Sequence, residues 1–277
     1  MYKRQDEDGA YYASLFNYNR GRVLGVFVLL FFVLLAVLGG KKGLGALLGL
    51  LFTLGCIWLI LIPCLIRGIP AVPVTVGIIA VTAAGALIFL NGFSEKTLCS
   101  VLGCVIGVVA AGGIAAAVGA ATPMNGFNMS EAENLLLYGA DKGLKISGLL
   151  VCGVLISALG AVMDVALGIA SAVWEIHEQN PALTARQLFR SGMHIGQDAM
   201  GTMANTLILA FAGSSLNMLI LVQTYEIPFL QLINTDYICI EVIQSIAGAM
   251  GILLTVPIVA FISARLMAAQ GKRRRDR

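Results

Sequence analysis

One carboxylate, Asp164, lies deep inside an otherwise apolar stretch, in the run G-A-V-M-D-V that covers residues 160–165. An ionisable side chain at the centre of a hydrophobic span costs about 2.5–3.5 kcal/mol on insertion scales. Residues of this kind bind ions, relay protons or make hydrogen bonds that hold helices together. Asp164 is therefore the first candidate for chemistry in this chain.

Asp164 belongs to a line of small and polar residues with steps of three and four, which is the spacing of one helix face. The members of this line are Gly153, Ser157, Gly160, Asp164, Gly168, Ser171 and Glu175. A helix further along the chain carries a second polar line, which consists of His194, Asp198, Thr202, Asn205 and, slightly offset, Thr206.

The two lines predict a buried proton or ion site, because hydroxyl and amide groups can hydrogen-bond a carboxyl group in either protonation state. We expect the site to contain Asp164, Thr202, Asn205 and Thr206. The secondary candidates are Ser171, Glu175, Asp198 and Glu241.

The expected depths of the main candidates agree. If Trp174 marks one membrane interface, Asp164 lies about 15 Å deeper at 1.5 Å per residue. Counted inward from Met193, Thr202 and Asn205 reach about 14–18 Å, so two antiparallel helices place them level with Asp164. Asp198 lies about 7 Å nearer the surface than Asp164 on the same count, at a helix start, where a carboxylate interacts favourably with the helix dipole.

Three functions fit this pattern. The first is a transporter or permease in which Asp164 takes up a proton or an ion and two helices then shift. The second is a non-catalytic scaffold or partner subunit, in which the polar line is only a packing seam. The third is an intramembrane aspartyl protease, which requires Asp164 and Asp198 to share a proton; their difference in depth argues against it.

We expect no enzymatic activity, no cofactor and no metal site. No phosphate-binding loop, H-E-x-x-H or G-x-S-x-G motif stands in a suitable context. Glu175, His177 and Glu178 cluster at a helix exit, where a solvated interface explains them better than a metal. The six cysteines lie in or beside apolar runs without metal-ligand spacing, which is typical of small buried residues.

The composition indicates a membrane protein, so transmembrane helices must position the candidate residues. The chain is 58% hydrophobic and 12% charged, and its mean hydropathy is +0.90. Since about twenty apolar residues cross a bilayer, the sequence predicts an all-α bundle of about seven transmembrane helices. The predicted spans are 23–39, 44–66, 70–92, 98–121, 146–171, 199–222 and 240–265.

Short motifs connect and pack the predicted spans. Residues 39–43, G-G-K-K-G, predict a tight turn between the first two spans. The spacing of Gly103 and Gly107 permits close helix approach, which favours a central place for the fourth span. Short amphipathic interfacial helices are expected near Ser130 and around residues 183–190, and a loop or short re-entrant piece at 224–236.

Basic residues in the loops favour an N-out, C-in orientation in the cytoplasmic (plasma) membrane of a bacterium. Residues 1–22 are expected to be a polar segment left from a truncated exported domain, residues 23–265 the membrane domain, and residues 266–277 a basic cytoplasmic tail. The expected partners are the lipid bilayer and a partner membrane protein or further copies of the chain. A basic tail after a membrane span marks the cytoplasmic side, so no nucleic acid is expected.

Several segments together resemble the YibE/F family of bacterial multipass membrane proteins. They are G-A-V-M-D-V at 160–165, the stretch 191–213, the closing stretch 241–258, G-G-K-K-G at 39–43 and N-G-F-S-E-K-T at 91–97. The resemblance covers nearly everything from residue 22 onward and implies a membrane fold without a defined activity. The order of the helices is also faintly similar to SecD/SecF-type permeases, in which an intramembrane Asp belongs to a proton pathway; this pattern falls on Asp164, Thr202 and Thr206.

Overall fold

The computed structural model describes residues 2–5, 11–14, 19–122, 124, 148–225 and 228–275. The chain divides into two compact units, Met1–Leu47 and Leu48–Arg277. The first unit contains a short antiparallel hairpin of strands β1 (Tyr2–Gln5) and β2 (Tyr11–Ser14). The described remainder of the chain is built from helices and their connections.

Helix α1 (Gly21–Cys56) is interrupted at Gly40, whose φ of 54° and ψ of −135° are not helical. In a straight helix, Leu35 and Gly43 would lie about 12 Å apart. A Cβ atom on Gly43 would instead overlap the backbone oxygen of Leu35, so the chain reverses its direction between them. The predicted turn at residues 39–43 is confirmed.

Among its described residues, the second unit continues with a π-helical turn and eight further helices, most of them long. In chain order they are the turn Ile57–Leu61, α2 (Ile62–Ile66), α3 (Ala71–Asn91), α4 (Glu95–Ala121), α5 (Leu149–Gln179), α6 (Ala185–Ser214), α7 (Leu216–Thr224), α8 (Phe229–Ile233) and α9 (Asp236–Arg275).

Within the described residues, five helical segments are long and apolar enough to cross a membrane, which indicates a multipass membrane protein. The sequence predicts seven spans. The difference arises because Gly21–Ile66 counts as one segment, although α1 breaks at Gly40, and because α6 is too polar to be counted. The all-helical membrane fold is confirmed, whereas the count of seven stays a prediction.

The closest packing in the second unit joins α4 to α9 through glycines. A Cβ atom on Gly103 would overlap the side chain of Val259, and one on Gly107 would overlap the Oγ1 atom of Thr255. A Cβ atom on Gly251 of α9 would lie 2.6 Å from that of Ala111. The close helix approach predicted from Gly103 and Gly107 is confirmed, since α4 and α9 come within the reach of a methyl group.

Helix α5 fills the middle of the second unit, where it packs against α3, α4, α6 and α9. Its buried residues Val154, Val162 and Val173 are fully excluded from solvent. The apolar core around it draws on all of these neighbouring helices. We call the end of the second unit that holds Asn91, Glu95 and Gln179 the tail side, because the C-terminal half of α9 runs toward it.

Two local predictions need correction. The separate interfacial helix expected around residues 183–190 is instead the first turns of α6, which continues without a break to Ser214. Helix α5 extends eight residues beyond the predicted end at 171, to Gln179, and α9 runs into the predicted tail, to Arg275. The helix expected near Ser130 lies outside the described residues.

Candidate functional site

Helix α5 presents Asp164 on the face opposite its buried residues. Val162, Val165 and Ala166 are buried among neighbouring helices, whereas Asp164 is exposed. Apolar residues at helical spacing fix this rotation of α5, because turning the helix would bring large aliphatic side chains out of the core. The middle of the predicted small and polar line, from Gly160 to Gly168, is therefore the open face of α5.

Helix α6 begins with a capping box at its tail-side end. The Thr184 side chain accepts a hydrogen bond from the backbone N–H of Gln187, and the Gln187 side chain accepts one from the Thr184 backbone N–H at 2.9 Å. These bonds satisfy N–H groups that the first helical turn leaves free. Leu188, Gly192 and Gly196 form the buried side of α6 and hold it against its neighbours.

The glycines of α6 define its register against α5. A Cβ atom on Gly192 would lie 2.8 Å from Val173, and one on Gly196 would lie 3.2 Å from Ile169. The two helices are antiparallel and in register, because four residues forward on α6 (Gly192 to Gly196) correspond to four residues backward on α5 (Val173 to Ile169). Continued by five residues from Ile169 and Gly196, this antiparallel register places Asp164 beside Gly201.

Thr202 therefore lies at the level of Asp164, as the sequence predicts. Asn205 lies beside Gly160, which is one helical turn, or about 6 Å, from the level of Asp164. Asp198 lies beside Leu167, about 4.5 Å closer to the tail side than Asp164. The depth difference between the two carboxylates is thus smaller than the 7 Å expected from counting.

The structure brings Thr202 to the level of Asp164 but places Asn205 and Thr206 about 6–7.5 Å away along the helix axis, and none of the three is hydrogen-bonded to Asp164. The Thr202 hydroxyl donates to the backbone oxygen of Ala199 at 2.9 Å, and the Thr206 hydroxyl donates to that of Thr202 at 2.8 Å. The part of the chain that the structure describes gives the Asp164 carboxylate no hydrogen bond and no salt bridge. Asp164 is therefore not a hydrogen-bonded link between α5 and α6.

Open space lies beside the three glycines nearest to Asp164 on α5 and α6. A Cβ atom added to Gly160, Gly168 or Gly201 would meet no atom within 4 Å. Together with the exposed side chains near them, these glycines form a surface that we call the open polar face. Its residues are Gly160, Asp164, Gly168, Gly201, Thr202 and Asn205.

The secondary candidates occupy different places. By the same register, Ser171 lies beside His194, between Asp164 and the tail side. Glu175 is exposed at the tail-side end of α5, where its Oε1 atom accepts a hydrogen bond from Gln179 at 3.2 Å.

Glu241 lies near the other end of the bundle. Its α9 neighbour Gln244 contacts Gly153 of α5, with 3.0 Å from the amide nitrogen to a Cβ atom built there. Glu241 therefore does not belong to the level of Asp164. Its Oε2 atom is buried without a hydrogen-bond partner among the described residues.

The described residues contain no group of three or more His, Cys, Asp or Glu side chains that could hold a metal ion. A single cation bound at Asp164 would draw its other oxygen ligands from Thr202, Asn205, water or a neighbouring molecule. Hard cations such as Na⁺ and Mg²⁺ prefer such oxygen ligands.

Sequence reasoning missed two buried polar residues on α4 and α9, the helices that pack against the buried side of α5. Cys104 of α4 is fully buried and lies close enough to Asp164 for an electrostatic interaction with it. Thr255 of α9 is also fully buried and donates its hydroxyl hydrogen to Gly251 at 2.7 Å. The signal for Thr255 was the glycine spacing in α4, which required a close partner; nothing in the sequence pointed to Cys104.

Comparison with known proteins gives one match. The model of the family described as YibE/F-like protein matches residues 27–269, which covers almost all of the predicted membrane domain. No curated protein and no solved structure matches the chain.

Proposed function

The chain belongs to the YibE/F-like family, and from that premise we propose that it is a transporter or permease whose proton or ion site centres on Asp164. One observation carries the proposal: a carboxylate at the middle level of a membrane helix has neither a hydrogen bond nor a salt bridge among the described residues. A carboxylate that only held helices together would have such partners. Asp164 is thus available to bind a proton or a cation.

The neighbouring residues support a path from the tail side to Asp164. Glu175 and His194 are exposed toward that end, and Ser171 lies beside His194. Asp198 lies one helical turn closer to Asp164 than His194 does. These polar groups can conduct water or ions along the surface of α5 and α6. We propose that the site is loaded from the tail side.

The packing suggests which helices move. Side chains of α9 occupy the space beside the glycines of α4, so we treat these two helices as a fixed pair. A Cβ atom added to the glycines of the open polar face would meet no atom within 4 Å, whereas Gly192 and Gly196 hold the first half of α6 tightly against α5 and α9. The movement that we propose is therefore confined to the parts of α5 and α6 around the open polar face. Neutralisation of Asp164 by a proton or cation removes the cost of moving its charge into a less polar environment.

The membrane arrangement that we propose keeps seven spans with the N-terminus outside and the C-terminus inside. The break at Gly40 divides the first apolar segment into two spans, and α6 completes the count once its polar face is shielded. Lys96, Arg186, Arg190 and Arg265 then lie at the cytoplasmic side of a bacterial plasma membrane, in agreement with the excess of basic residues expected there.

A scaffold or partner-subunit role is the second candidate. The exposure of polar residues on the open polar face favours it, because such a face invites a neighbouring molecule. Under this role, Asp164 would bind the neighbour and no ion would be taken up. The two roles are separated by whether ion binding depends on Asp164.

Charge movement in proteoliposomes tests the transporter proposal without a known substrate. Purified full-length protein on a solid-supported membrane receives a sudden rise in proton or Na⁺ concentration, and the transient current is recorded. We expect a current for one of the two ions, its near-complete loss in Asp164→Asn, and its partial retention in Asp164→Glu. Ion entry into a site within the membrane moves charge across part of the field.

Glu178→Gln is the matched control, because Glu178 is an exposed carboxylate at the end of α5. It should leave the current unchanged. Wild-type protein without a current for either ion, or Asp164→Asn with the wild-type current, would overturn the proposal.

A further inference from the structure

We propose that the open polar face is the interface between two copies of this chain, related by a two-fold axis along the membrane normal. In this dimer the Asp164 carboxylate of each copy is covered by α5 and α6 of the other. The proposal rests on the proposed function only in using the same site. It also holds for a dimer that transports nothing.

The first argument concerns the cost of leaving this face to lipid. Hydrocarbon offers no hydrogen bonds, so Asp164 and Asn205 would each remain unsatisfied there. The described residues supply no hydrogen-bond partner for either side chain. A polar covering therefore stabilises the protein in the membrane.

The second argument concerns the hydrogen-bond donors and acceptors on the open polar face. Asp164 presents acceptor oxygens, and Asn205 presents an amide with two donor hydrogens. The Thr202 hydroxyl already donates to Ala199 and so cannot also donate to a carboxylate in this rotamer. Because acceptor and donor lie on one surface, the surface is complementary to itself, as a two-fold interface requires.

The third argument concerns depth. A two-fold axis along the membrane normal keeps every residue at its own depth, so only residues of similar depth can meet across it. The register of α5 and α6 places Asp164 and Asn205 about one turn apart. Since Cβ atoms lean toward the N-terminus and the two helices are antiparallel, both side chains lean toward the level between them.

The fourth argument concerns approach. Gly160 and Gly168 lie one turn on either side of Asp164, and nothing fills the space above them. Small residues of this kind let helix backbones come close enough for polar contacts between helices.

The test measures dimerisation of the full-length protein in liposomes by energy transfer between copies labelled at the C-terminus. We expect wild-type protein to form dimers across a range of protein-to-lipid ratios. Gly168→Leu should weaken dimerisation by about tenfold or more, because the added side chain lies where the second copy approaches. It should not unfold the protein, because a Cβ atom at this position meets nothing within its own chain.

Gly113→Leu is the matched control. Gly113 of α4 is also exposed with open space around it, but it is not part of the open polar face. Its substitution should leave dimerisation unchanged. Equal weakening by both variants, or a wild-type protein that is monomeric at every ratio, would overturn the proposal.

A second measurement distinguishes this proposal from the transporter proposal. Asp164→Asn keeps a polar side chain that can pair with Asn205, so it should still dimerise while losing the ion-dependent current. Asn205→Leu should weaken the dimer. If the protein is a monomer and its current depends on Asp164, the dimer proposal is wrong and the ion-site proposal stands. If the protein is a dimer without any current, the ion-site proposal is wrong and the dimer proposal stands.

Discussion

The Oγ1 atom of Thr255 occupies the space that a Cβ atom on Gly107 would need. Residue 107 must therefore be glycine if α4 and α9 are to keep their separation. The same hydroxyl is held in place by its hydrogen bond to the backbone oxygen of Gly251 at 2.7 Å. The crossing of α4 and α9 thus depends on one missing methyl group.

Replacing Gly107 with alanine should destabilise the protein by about 1–3 kcal/mol, the usual cost of overpacking a close contact. The free energy of unfolding in mixed micelles, measured by titration with a denaturing detergent, provides the readout. Gly113→Ala on the same helix is the control, because its new methyl group meets no atom within 4 Å. If both variants lose the same stability, the tight crossing is not present.

Asp164→Leu should change the stability of the detergent-solubilised monomer by no more than about 0.5 kcal/mol, as at an ordinary exposed position. The carboxylate makes no hydrogen bond or salt bridge within the described residues, so its removal breaks none. The thermal unfolding temperature of the monomeric fraction checks this. A loss above about 2 kcal/mol would show that Asp164 links helices of its own chain.

Thr184→Ala should destabilise α6 by about 1 kcal/mol, because it removes the side-chain acceptor at the helix start. Hydrogen exchange of the first turn, residues 185–188, should become faster. Thr206→Ala is a suitable comparison, since its hydroxyl only donates to a carbonyl of its own helix. Unchanged exchange in Thr184→Ala would contradict the capping box.

Gly40→Ala should cost about 1–3 kcal/mol, because the φ of 54° at this turn is unfavourable for a residue with a side chain. Faster hydrogen exchange in residues 36–44 would report a loosened turn. Gly39→Ala should have a smaller effect, because Gly39 is not among the described glycines with positive φ. Equal effects of the two substitutions would argue against the reversal at Gly40.

Much of the architecture follows from sequence because it depends on short-range rules. The G-G-K-K-G run predicts the chain reversal, since glycine alone adopts the backbone angles found at Gly40. The spacing of Gly103 and Gly107 predicts close packing, because two glycines one turn apart let another helix approach. The depth match of Asp164 and Thr202 follows from the rise of a helix.

The exposure of Asp164 could not be predicted in this way. A polar line on a helix can face either the bundle centre or its outside, and the spacing of Gly160, Asp164 and Gly168 is the same in both cases. The choice depends on where the aliphatic residues of α5 find partners on α4 and α9. That is a long-range property of the fold, and it changed the expected buried site into an open polar face.

The start of α6 also depends on context. The basic amphipathic stretch around Arg186 and Arg190 is typical of a separate helix at the membrane surface. In the structure the same residues continue directly into the rest of α6, because nothing between them and Gly196 interrupts the helix. The local pattern around Arg186 and Arg190 indicates that a helix begins there, but it does not indicate that this helix continues to Ser214.

The limited apolarity of α6 has a consequence for the order in which the protein enters the membrane. Among the described helices, α6 is long enough to span but is not counted with the five apolar segments. If α6 crosses the membrane, as we propose, its insertion depends on helices that can shelter its polar residues and fill the space beside Gly192 and Gly196. One of these, α9, is synthesised after α6, so under this proposal α6 reaches its final packing only after α9 has been made.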